Sequence, residues 1–237
     1  MKAFLLAAGH GTRLRPLTDT VPKCLVPIRG VPLLQIWLDF CRSHGIKQVL
    51  INLHAHSDAV RAFLRESGND DLEVTVSEEK SLLGSAGTLL ANRDWLGLDP
   101  FFWVFYADVL TTANLAPLRE IHERNATHLA SLGVYEVPDP RRCGIVSLDE
   151  QGVVRDFEEK PENPRGRLAF SGLMIARRQL LDLIPTEGLP DIGFHVLPQL
   201  VGRMSAVTIT DYLLDIGTME NYQLAQKTWP GVQISPS

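Results

Sequence analysis

The sequence predicts an α/β fold built on a doubly wound, mostly parallel mixed sheet. The chain has 237 residues, enough for one large domain with a substantial core. In the first half, apolar strand-like runs alternate with segments of helical spacing, the rhythm of right-handed β-α-β crossovers. In the second half, shorter β segments crowd together, which indicates that antiparallel strands extend the sheet. We therefore expect a single Rossmann-like domain over residues 1–228, followed by a C-terminal tail at 229–237.

The first half begins with an apolar run at 3–8, which predicts a buried strand. Leu33, Leu34, Trp37 and Leu38 recur at helical spacing, and Gly45 is a plausible stop for that helix. Further strands are predicted at 48–52, 72–76 and 101–106, and further helices from Ser57 onward and over 85–96.

The second half begins with a predicted helix at 114–124 and a buried strand at 128–134. A closing helix is predicted over 218–227, with Glu220 in its first turn, where a negative charge is favourable. Asp191 is interpreted as the N-cap of the segment that follows it, with contact to a ligand as the alternative. The remaining strands are predicted at 143–148, 153–160, 168–176, 206–209 and 212–216, and short helices at 179–184 and 194–204.

The first predicted strand runs into a glycine loop with two nearby cations. Gly9 and Gly11 let the backbone bend and approach a ligand, and successive N–H groups in such a bend form an anion site. Arg13 adds a planar charged fork suited to phosphate oxygens, and Lys23 supplies a second cation. These residues predict a polyphosphate-binding loop, although glycine spacing alone is also typical of an ordinary turn.

Two better-known phosphate loops do not fit this segment. A Walker A loop needs a Gly-Lys-Ser/Thr sequence, and no lysine follows Gly11 directly. A dinucleotide fingerprint needs a third glycine, where this chain has Leu14, and an acidic residue after the second strand, where it has Asn52. The sequence therefore excludes both of these loop types.

Two isolated aspartates, Asp108 and Asp215, each follow an apolar run. Each is expected at a strand end, and open α/β sheets bind ligands at that edge. Mg²⁺ typically takes one or two carboxylates together with substrate phosphates and waters. The pair thus predicts a Mg²⁺ site, with capping of a following turn as the alternative for each aspartate.

Residues 6–18, followed by Pro22-Lys23 and the segment to Pro27, resemble the signature of the sugar-1-phosphate nucleotidyltransferases, or NDP-sugar pyrophosphorylases. The resemblance implies the nucleotide-diphospho-sugar transferase fold. It also implies transfer of a nucleotidyl group from a nucleoside triphosphate to a sugar 1-phosphate, with release of pyrophosphate. The segments 106–110 and 214–218 resemble the two metal segments of the family, which implies that Asp108 and Asp215 bind Mg²⁺.

The same resemblance implies a set of nucleotide-binding residues. The small residues at 84–88 match the loop where the family contacts the base. The carboxylates of the preceding Glu78 and Glu79 can accept a hydrogen bond from a ring N–H of the base, although such a pair is also typical of a solvated turn. Arg13, Lys23 and Asp108 are expected to be catalytic. The predicted nucleotide-binding residues are Leu6, Ala7, Ala8, Gly9, Gly11, Thr12, Arg13, Lys23, Glu78, Gly84, Ser85 and Ala86.

Four further residues are implied to bind the sugar phosphate. Glu159 and Lys160 stand in a Glu-Lys-Pro motif, where the family's glutamate accepts sugar hydroxyls and its lysine meets the phosphate. Gly144 resembles the glycine that lies against the sugar ring. Ser171 replaces the asparagine of many members, which puts the identity of the sugar in doubt. Glu159 and Lys160 also fit a simple charge pair before a proline turn.

Composition and charge narrow the function classes. The formal net charge of −5 argues against a nucleic-acid surface. The sequence contains no apolar run of about eighteen residues and no signal-peptide pattern, so we expect a cytoplasmic protein without a membrane partner. The three cysteines fit neither a disulfide framework nor a zinc site. Homo-oligomerisation is left open.

The reaction implied by the resemblance needs positioning more than proton transfer. A sugar 1-phosphate is mostly dianionic at neutral pH, since its second pKa is about 6, so its oxygen can attack the α-phosphorus in line without a general base. We expect Arg13 and the 9–12 backbone to hold the leaving pyrophosphate, Lys23 to stabilise the α-phosphate region, and Mg²⁺ to bridge the phosphates.

The choice of substrates is less sharply predicted. The segments 83–89, 143–146 and 215–222 look most like guanylyltransferases that act on mannose 1-phosphate or a heptose 1-phosphate. Thymidylyl or uridylyl transfer stays open within the family. A non-catalytic nucleotide-sugar sensor of the same fold is the alternative from a different class.

Overall fold

The computed structural model describes residues 1–9, 11–54, 57–68 and 71–232. His10 of the predicted glycine loop and residues 233–237 of the predicted tail lie outside these described residues. The contacts divide the chain into two compact units. Unit 1 comprises Met1–Leu82, Phe105–Ala113 and Asp211–Ser237, and unit 2 comprises Leu83–Val104 and Asn114–Thr210.

The secondary structure alternates strands and helices in the first half and is rich in strands in the second. The strands are β1 (Lys2–Leu6), β2 (Pro27–Ile28), β3 (Val31–Pro32), β4 (Gln48–Leu53), β5 (Glu73–Glu78), β6 (Phe101–Tyr106), β7 (Val109–Thr111), β8 (Ala130–Glu136), β9 (Gly144–Leu148), β10 (Val154–Glu159), β11 (Leu168–Arg177), β12 (Met204–Thr208) and β13 (Leu213–Asp215). The α-helices are α1 (Leu33–Ser43), α2 (Ser57–Glu66), α3 (Ser85–Ala91), α4 (Ala116–Arg124) and α5 (Met219–Thr228).

Short helical turns of other kinds connect these elements. They are the 3₁₀ helices Thr12–Leu14, Leu17–Asp19, Lys23–Leu25, Arg93–Leu96, Pro140–Arg142, Arg178–Leu183 and Leu197–Leu200, and a π-helical turn at Ile192–Val196. None of the described helices has the length and apolar character needed to cross a membrane.

Unit 1 is organised around parallel strands. β1 pairs with β4, and β4 pairs with β5, both in parallel. Helix α1 buries one apolar face, on which Trp37 stacks on Phe105 with ring centroids 5.2 Å apart. β7 and β13 form a separate antiparallel pair in which Asp215 lies opposite Val109. The chain passes from unit 2 into unit 1 within β6.

Unit 2 is organised around strands of mixed direction. β8 pairs antiparallel with β11 and parallel with β12. β9 pairs antiparallel with β10 and, at Ile145, with β11. Helix α4 covers this sheet, with Leu118 and His122 buried.

The predicted α/β class with a mixed sheet is confirmed, as are most strands. Three helix predictions need correction. The helix expected at 85–96 ends at Ala91 and continues as a 3₁₀ helix, and the segment 179–184 is also 3₁₀. The helix expected at 194–204 is wrong, because a π turn and a 3₁₀ turn precede β12 there. Pro198 lacks the N–H that a continuous α-helix needs at that point.

The predicted boundary between a domain at 1–228 and a tail at 229–237 stays a prediction. At the start of that tail, Trp229 is buried. Its carbonyl accepts a hydrogen bond of 2.9 Å from the Arg29 side chain, and its ring meets Tyr212 edge to face. The described part of the segment therefore packs on unit 1.

Candidate functional site

The glycine loop of unit 1 begins where β1 ends. The N–H of Ala7 donates to Asn52 Oδ1 at 2.7 Å, which fixes the first residue after the strand. Gly11 has a φ of 63° and precedes the 3₁₀ helix Thr12–Leu14. Thr18 Oγ1 donates to the Gly11 carbonyl at 2.8 Å and closes the loop. Glycine is required at position 11, since other residues rarely adopt this φ.

Gly11 also lets Lys23 approach the loop closely. A Cβ atom at Gly11 would lie 3.1 Å from Lys23 Cβ and 3.0 Å from Thr18 Cγ2. The bare backbone therefore gives the lysine stem room beside the loop.

Asn52, which holds Ala7 at the start of the glycine loop, is itself held by a buried polar partner. Asn52 Nδ2 donates to Glu79 Oε1 at 2.8 Å, and both side chains are buried. Sequence reasoning used Asn52 only to exclude a dinucleotide fold and missed its role in holding Ala7. The available signal was an amide at a strand end, where an apolar residue would otherwise be expected.

The predicted nucleotide contact at Glu78 stays a prediction. Its carboxylate accepts hydrogen bonds from Ser57 Oγ at 2.7 Å and from Arg61 at 3.0 Å. These contacts lower the pKa of Glu78, the Ser57 hydrogen bond most of all. The carboxylate already has partners on helix α2, so base recognition there would have to compete with them.

The first predicted metal segment lies directly against the end of β1. Ala107 N donates to the Leu6 carbonyl, and Trp37 Nε1 donates to the Ala107 carbonyl, each at 3.0 Å. These bonds fix the peptide before Asp108. Lys23 Nζ then lies 2.6 Å from Asp108 Oδ2, in an ion pair in which both side chains are largely shielded from solvent.

The second predicted metal segment is attached to the first by backbone pairing. Ile216 N donates to the Asp108 carbonyl at 2.9 Å, next to the β7–β13 pair. Asp215 Oδ1 accepts from Gly217 N at 2.5 Å. A Cβ atom on Gly217 would lie 2.8 Å from Arg13 Nη2, so the Arg13 guanidinium packs against this turn.

The electrostatics of Asp215 reflect these neighbours. Burial raises its pKa, and the Asp108 carboxylate raises it further. The Gly217 hydrogen bond and the cations Lys23 and Arg13 act in the opposite direction. Unit 1 thus brings together the four charged residues that the sequence singled out: two cations and two carboxylates.

The donor set of this cluster fits Mg²⁺. Hard carboxylate oxygens suit the ion, and Mg²⁺ needs only one or two of them because waters and phosphates complete its coordination. The described residues contain no group of three or more His, Cys, Asp or Glu side chains that could hold a metal ion.

In unit 2, the small-residue loop before α3 is fixed to a distant segment. Ala86 N and Gly87 N donate to the Pro190 carbonyl at 3.0 and 3.2 Å. Ser85 Oγ donates to Asp191 Oδ2 and accepts from Ile192 N, both at 2.8 Å. The predicted base contact of Ser85 stays a prediction. Its hydroxyl hydrogen is already donated to Asp191, so a base would have to compete with that hydrogen bond.

Glu159 lies in a cradle of two glycines. Gly144 pairs with Glu159 across β9 and β10, and a Cβ atom there would lie 2.6 Å from Glu159 Oε2. A Cβ atom on Gly193 would lie 2.4 Å from the same oxygen. Burial raises the pKa of Glu159, Lys160 lowers it, and the Asp191 carboxylate raises it. Sequence reasoning missed Gly193, which lies in the irregular π turn.

Lys160 continues the chain in a strained conformation. Its φ is 50°, and its N–H donates to the Cys143 carbonyl at 3.0 Å. Its Nζ lies 3.8 Å from Glu159 Oε1, and its side chain is about half exposed. The structure therefore brings Gly144, Glu159 and Lys160 together, and their contact with a sugar phosphate stays a prediction.

Ser171 lies at an irregularity of β11, where the register to β8 shifts between Phe170 and Met174. Its side chain is buried, and its Oγ accepts from Leu173 N at 3.2 Å. A Cβ atom on Gly133 would lie 2.7 Å from that Oγ. The predicted sugar contact of Ser171 stays a prediction. Asp191 is confirmed as an N-cap, since its Oδ1 accepts from Phe194 N at 3.0 Å.

Comparison with known proteins places these residues in a wider context. Residues 2–230 match the family model described as Nucleotidyl transferase. A UDP-glucose pyrophosphorylase solved with UDP-glucose superposes with a TM-score of 0.82 at 21% identity, covering 96% of this chain and 97% of that one. That likeness shows the fold.

Curated relatives divide among three nucleotides. A UTP–glucose-1-phosphate uridylyltransferase of Synechocystis sp. is 27% identical over 100% of this chain. A glucose-1-phosphate thymidylyltransferase of Streptomyces griseus is 31% identical over 92% of the chain, and mannose-1-phosphate guanylyltransferase 1 of Arabidopsis thaliana is 30% identical over 94%. The chain spans 68%, 58% and 63% of the length of these relatives, respectively.

Proposed function

The chain belongs to the nucleotidyl transferase family, and from that premise we propose that it transfers a nucleotidyl group from a nucleoside triphosphate to a sugar 1-phosphate. The products are an NDP-sugar and pyrophosphate. The observation that carries the proposal is the cluster of Arg13, Lys23, Asp108 and Asp215 around the end of β1 and the β7–β13 pair.

The unit 1 cluster supplies the electrostatics of the reaction. Two phosphate esters repel each other, and charge grows on the bridging oxygens as the α-phosphorus is attacked. Lys23, already held by Asp108, stabilises the α-phosphate region, and Arg13 with the loop N–H groups holds the leaving pyrophosphate. Mg²⁺ held by Asp108 and Asp215 would add Lewis-acid polarisation of phosphate oxygens.

The unit 2 cluster supplies recognition of the sugar 1-phosphate. The partly buried Glu159 carboxylate accepts hydrogen bonds from sugar hydroxyls, and the half-exposed Lys160 ammonium meets the sugar phosphate. Gly144 lets the sugar ring approach the backbone. The 84–87 loop receives the base beside the Pro190 carbonyl.

For the substrates, we favour GTP with mannose 1-phosphate or a heptose 1-phosphate. Support comes from the segments 83–89, 143–146 and 215–222, and from the 30% identity to the guanylyltransferase of Arabidopsis thaliana. The thymidylyltransferase of Streptomyces griseus is as similar, so the base is the least constrained part of the proposal. Cytoplasmic location and the absence of nucleic-acid partners also stay predictions.

A substrate matrix tests the proposal. Each of GTP, dTTP, UTP and ATP is paired with glucose 1-phosphate, mannose 1-phosphate and a heptose 1-phosphate, and pyrophosphate release is followed with and without Mg²⁺. We expect Mg²⁺-dependent release that also requires the sugar phosphate, largest with GTP. Folded protein that binds nucleotide but releases pyrophosphate with no pair would overturn the proposal and favour a sensor.

A further inference from the structure

The ammonium group of Lys160 is held in an unusual way. Its Nζ lies 5.3 Å from the ring centroid of Phe194, over the aromatic face. The nearest carboxylate oxygen, Glu159 Oε1, is 3.8 Å away, which is an ion-pair distance beyond hydrogen-bonding range. Among the described residues, the Lys160 ammonium has no hydrogen-bond acceptor.

This arrangement holds the lysine ammonium in place without using any of its three N–H groups as hydrogen-bond donors. The negative face of an aromatic ring attracts an ammonium electrostatically, whereas a carboxylate or carbonyl would occupy one or more of its three N–H groups. Lys160 is therefore located by Phe194 while its N–H groups stay available to an anion.

The backbone that carries the Phe194 ring is held by a hydrogen bond to Asp191. Phe194 N donates to Asp191 Oδ1 at 3.0 Å, and the other oxygen of Asp191 accepts from Ser85 at 2.8 Å. Gly193, immediately before Phe194, packs against Glu159. Phe194 is 51% exposed, so part of its side chain is open to solvent.

We propose that Phe194 is a positioning residue for Lys160, holding its ammonium over the ring so that the phosphate of the sugar 1-phosphate meets three free donors. This rests on the proposed function, since it assigns a role within the same sugar-phosphate site. Phe194 acts on substrate binding by holding Lys160 in place. Removing its aromatic ring therefore weakens binding of the sugar phosphate and leaves binding of the triphosphate unchanged.

Steady-state kinetics separate these effects. Phe194→Leu keeps apolar bulk and removes the π face, and we expect its KM for the sugar 1-phosphate to rise about three- to tenfold. The KM for the triphosphate stays unchanged, and Phe194→Tyr restores the wild-type value. Leu189→Ala is the matched control, because Leu189 is another exposed apolar side chain of this stretch.

A double-mutant cycle tests whether Phe194 acts through the lysine. In a Lys160→Ala background, Phe194→Leu should cause no further rise in the sugar-phosphate KM. A full additional rise there, or an unchanged KM in the Phe194→Leu single variant, would overturn the proposal.

An NMR readout keeps the proposal separable from the proposed function. In protein labelled with ¹³C at the lysine ε-carbons, the ring current of Phe194 should shift the Lys160 signal upfield, and Lys160→Arg assigns that signal. The shift should disappear in Phe194→Leu and persist in Phe194→Tyr. If no lysine signal of the wild type is shifted, the positioning is wrong even in an active enzyme. If the shift is present but no substrate pair reacts, the proposed function fails while the Lys160–Phe194 contact stands.

Discussion

The charged clusters of the two units differ in how their charges are paired. In unit 1, Lys23 already lies 2.6 Å from Asp108, and backbone hydrogen bonds attach both predicted metal segments to their neighbours. In unit 2, Lys160 lies 3.8 Å from Glu159 and rests on an aromatic ring, while burial raises the pKa of Glu159. In unit 1 the lysine is already ion-paired without substrate, whereas in unit 2 the lysine keeps its N–H donors available beside the partly buried Glu159 carboxyl.

This difference teaches which step each cluster serves. Groups preorganised around developing charge lower the barrier of the chemical step and therefore raise kcat. Groups with unsatisfied hydrogen-bonding capacity gain most when the ground-state ligand arrives, so they act on KM. We expect substitutions in unit 1 to change kcat and substitutions in unit 2 to change the KM of the sugar 1-phosphate.

The largest expected effect is that of Lys23→Ala. Removing one preorganised cation should lower kcat by about 10²–10³, with a small change in the KM of the sugar 1-phosphate. Arg15→Ala is the control, since Arg15 is an exposed cation close to Arg13 in sequence, and its one ion pair among the described residues is with Asp19. Near-normal kcat in folded Lys23→Ala protein would contradict the assignment of the unit 1 cluster to the chemical step.

Asp215→Asn should lower activity without lowering stability. The neutral amide still accepts from Gly217 N, but it removes a negative charge next to the Asp108 carboxylate, the neighbour that helps to raise the pKa of Asp215. We expect kcat to fall by about 10² and the Mg²⁺ requirement to rise, while the Tm measured in EDTA is unchanged or higher. A clear drop in that Tm, with activity retained, would show that Asp215 is a structural cap.

Gly193→Ala should affect sugar recognition specifically. The new Cβ would lie 2.4 Å from Glu159 Oε2, so the carboxylate must move. We expect about a tenfold rise in the KM of the sugar 1-phosphate, equivalent to about 1.4 kcal/mol, with the KM of the triphosphate unchanged. Gly166→Ala is the matched control, because among the described residues the only atom within 4 Å of its Cβ would be Ile145 Cγ2, at 3.9 Å. Equal effects of the two variants would count against the cradle.

The smallest expected effect is a pH shift in Asp191→Asn. The Asp191 carboxylate helps to raise the pKa of Glu159, so its neutralisation should lower that pKa. The acid limb of kcat/KM for the sugar 1-phosphate should then move to lower pH, measured against wild type with the same substrate. An unmoved limb would assign the limb to another group.

The same shift has a consequence for stability. Because the folded-state pKa of Glu159 is raised, the folded protein binds more protons than the unfolded chain between the two pKa values. The free energy of unfolding therefore falls as pH rises through that window. Urea denaturation at several pH values should show a smaller fall in Asp191→Asn than in wild type.

The unit 1 cluster was largely predictable because its position follows from topology. Asp108 follows a buried strand, and the glycine loop follows β1, so both are expected at the carboxyl edge of the sheet. The Asn52–Glu79 pair was not predictable, because it depends on the register that places β4 beside β5. Gly193 and Phe194 were missed for another reason: their π turn has no periodic pattern.

The central claim is that the bond broken lies between the α- and β-phosphates of the triphosphate. Protein is incubated with Mg²⁺, a sugar 1-phosphate and GTP labelled with ³²P at either the α or the γ position. We predict that the α label appears in the nucleotide sugar and the γ label in pyrophosphate, only when the sugar phosphate is present. Recovery of the γ label as inorganic phosphate would contradict the claim. Recovery of both labels in unreacted triphosphate would also contradict it, if the same result is obtained when labelled dTTP, UTP and ATP replace GTP.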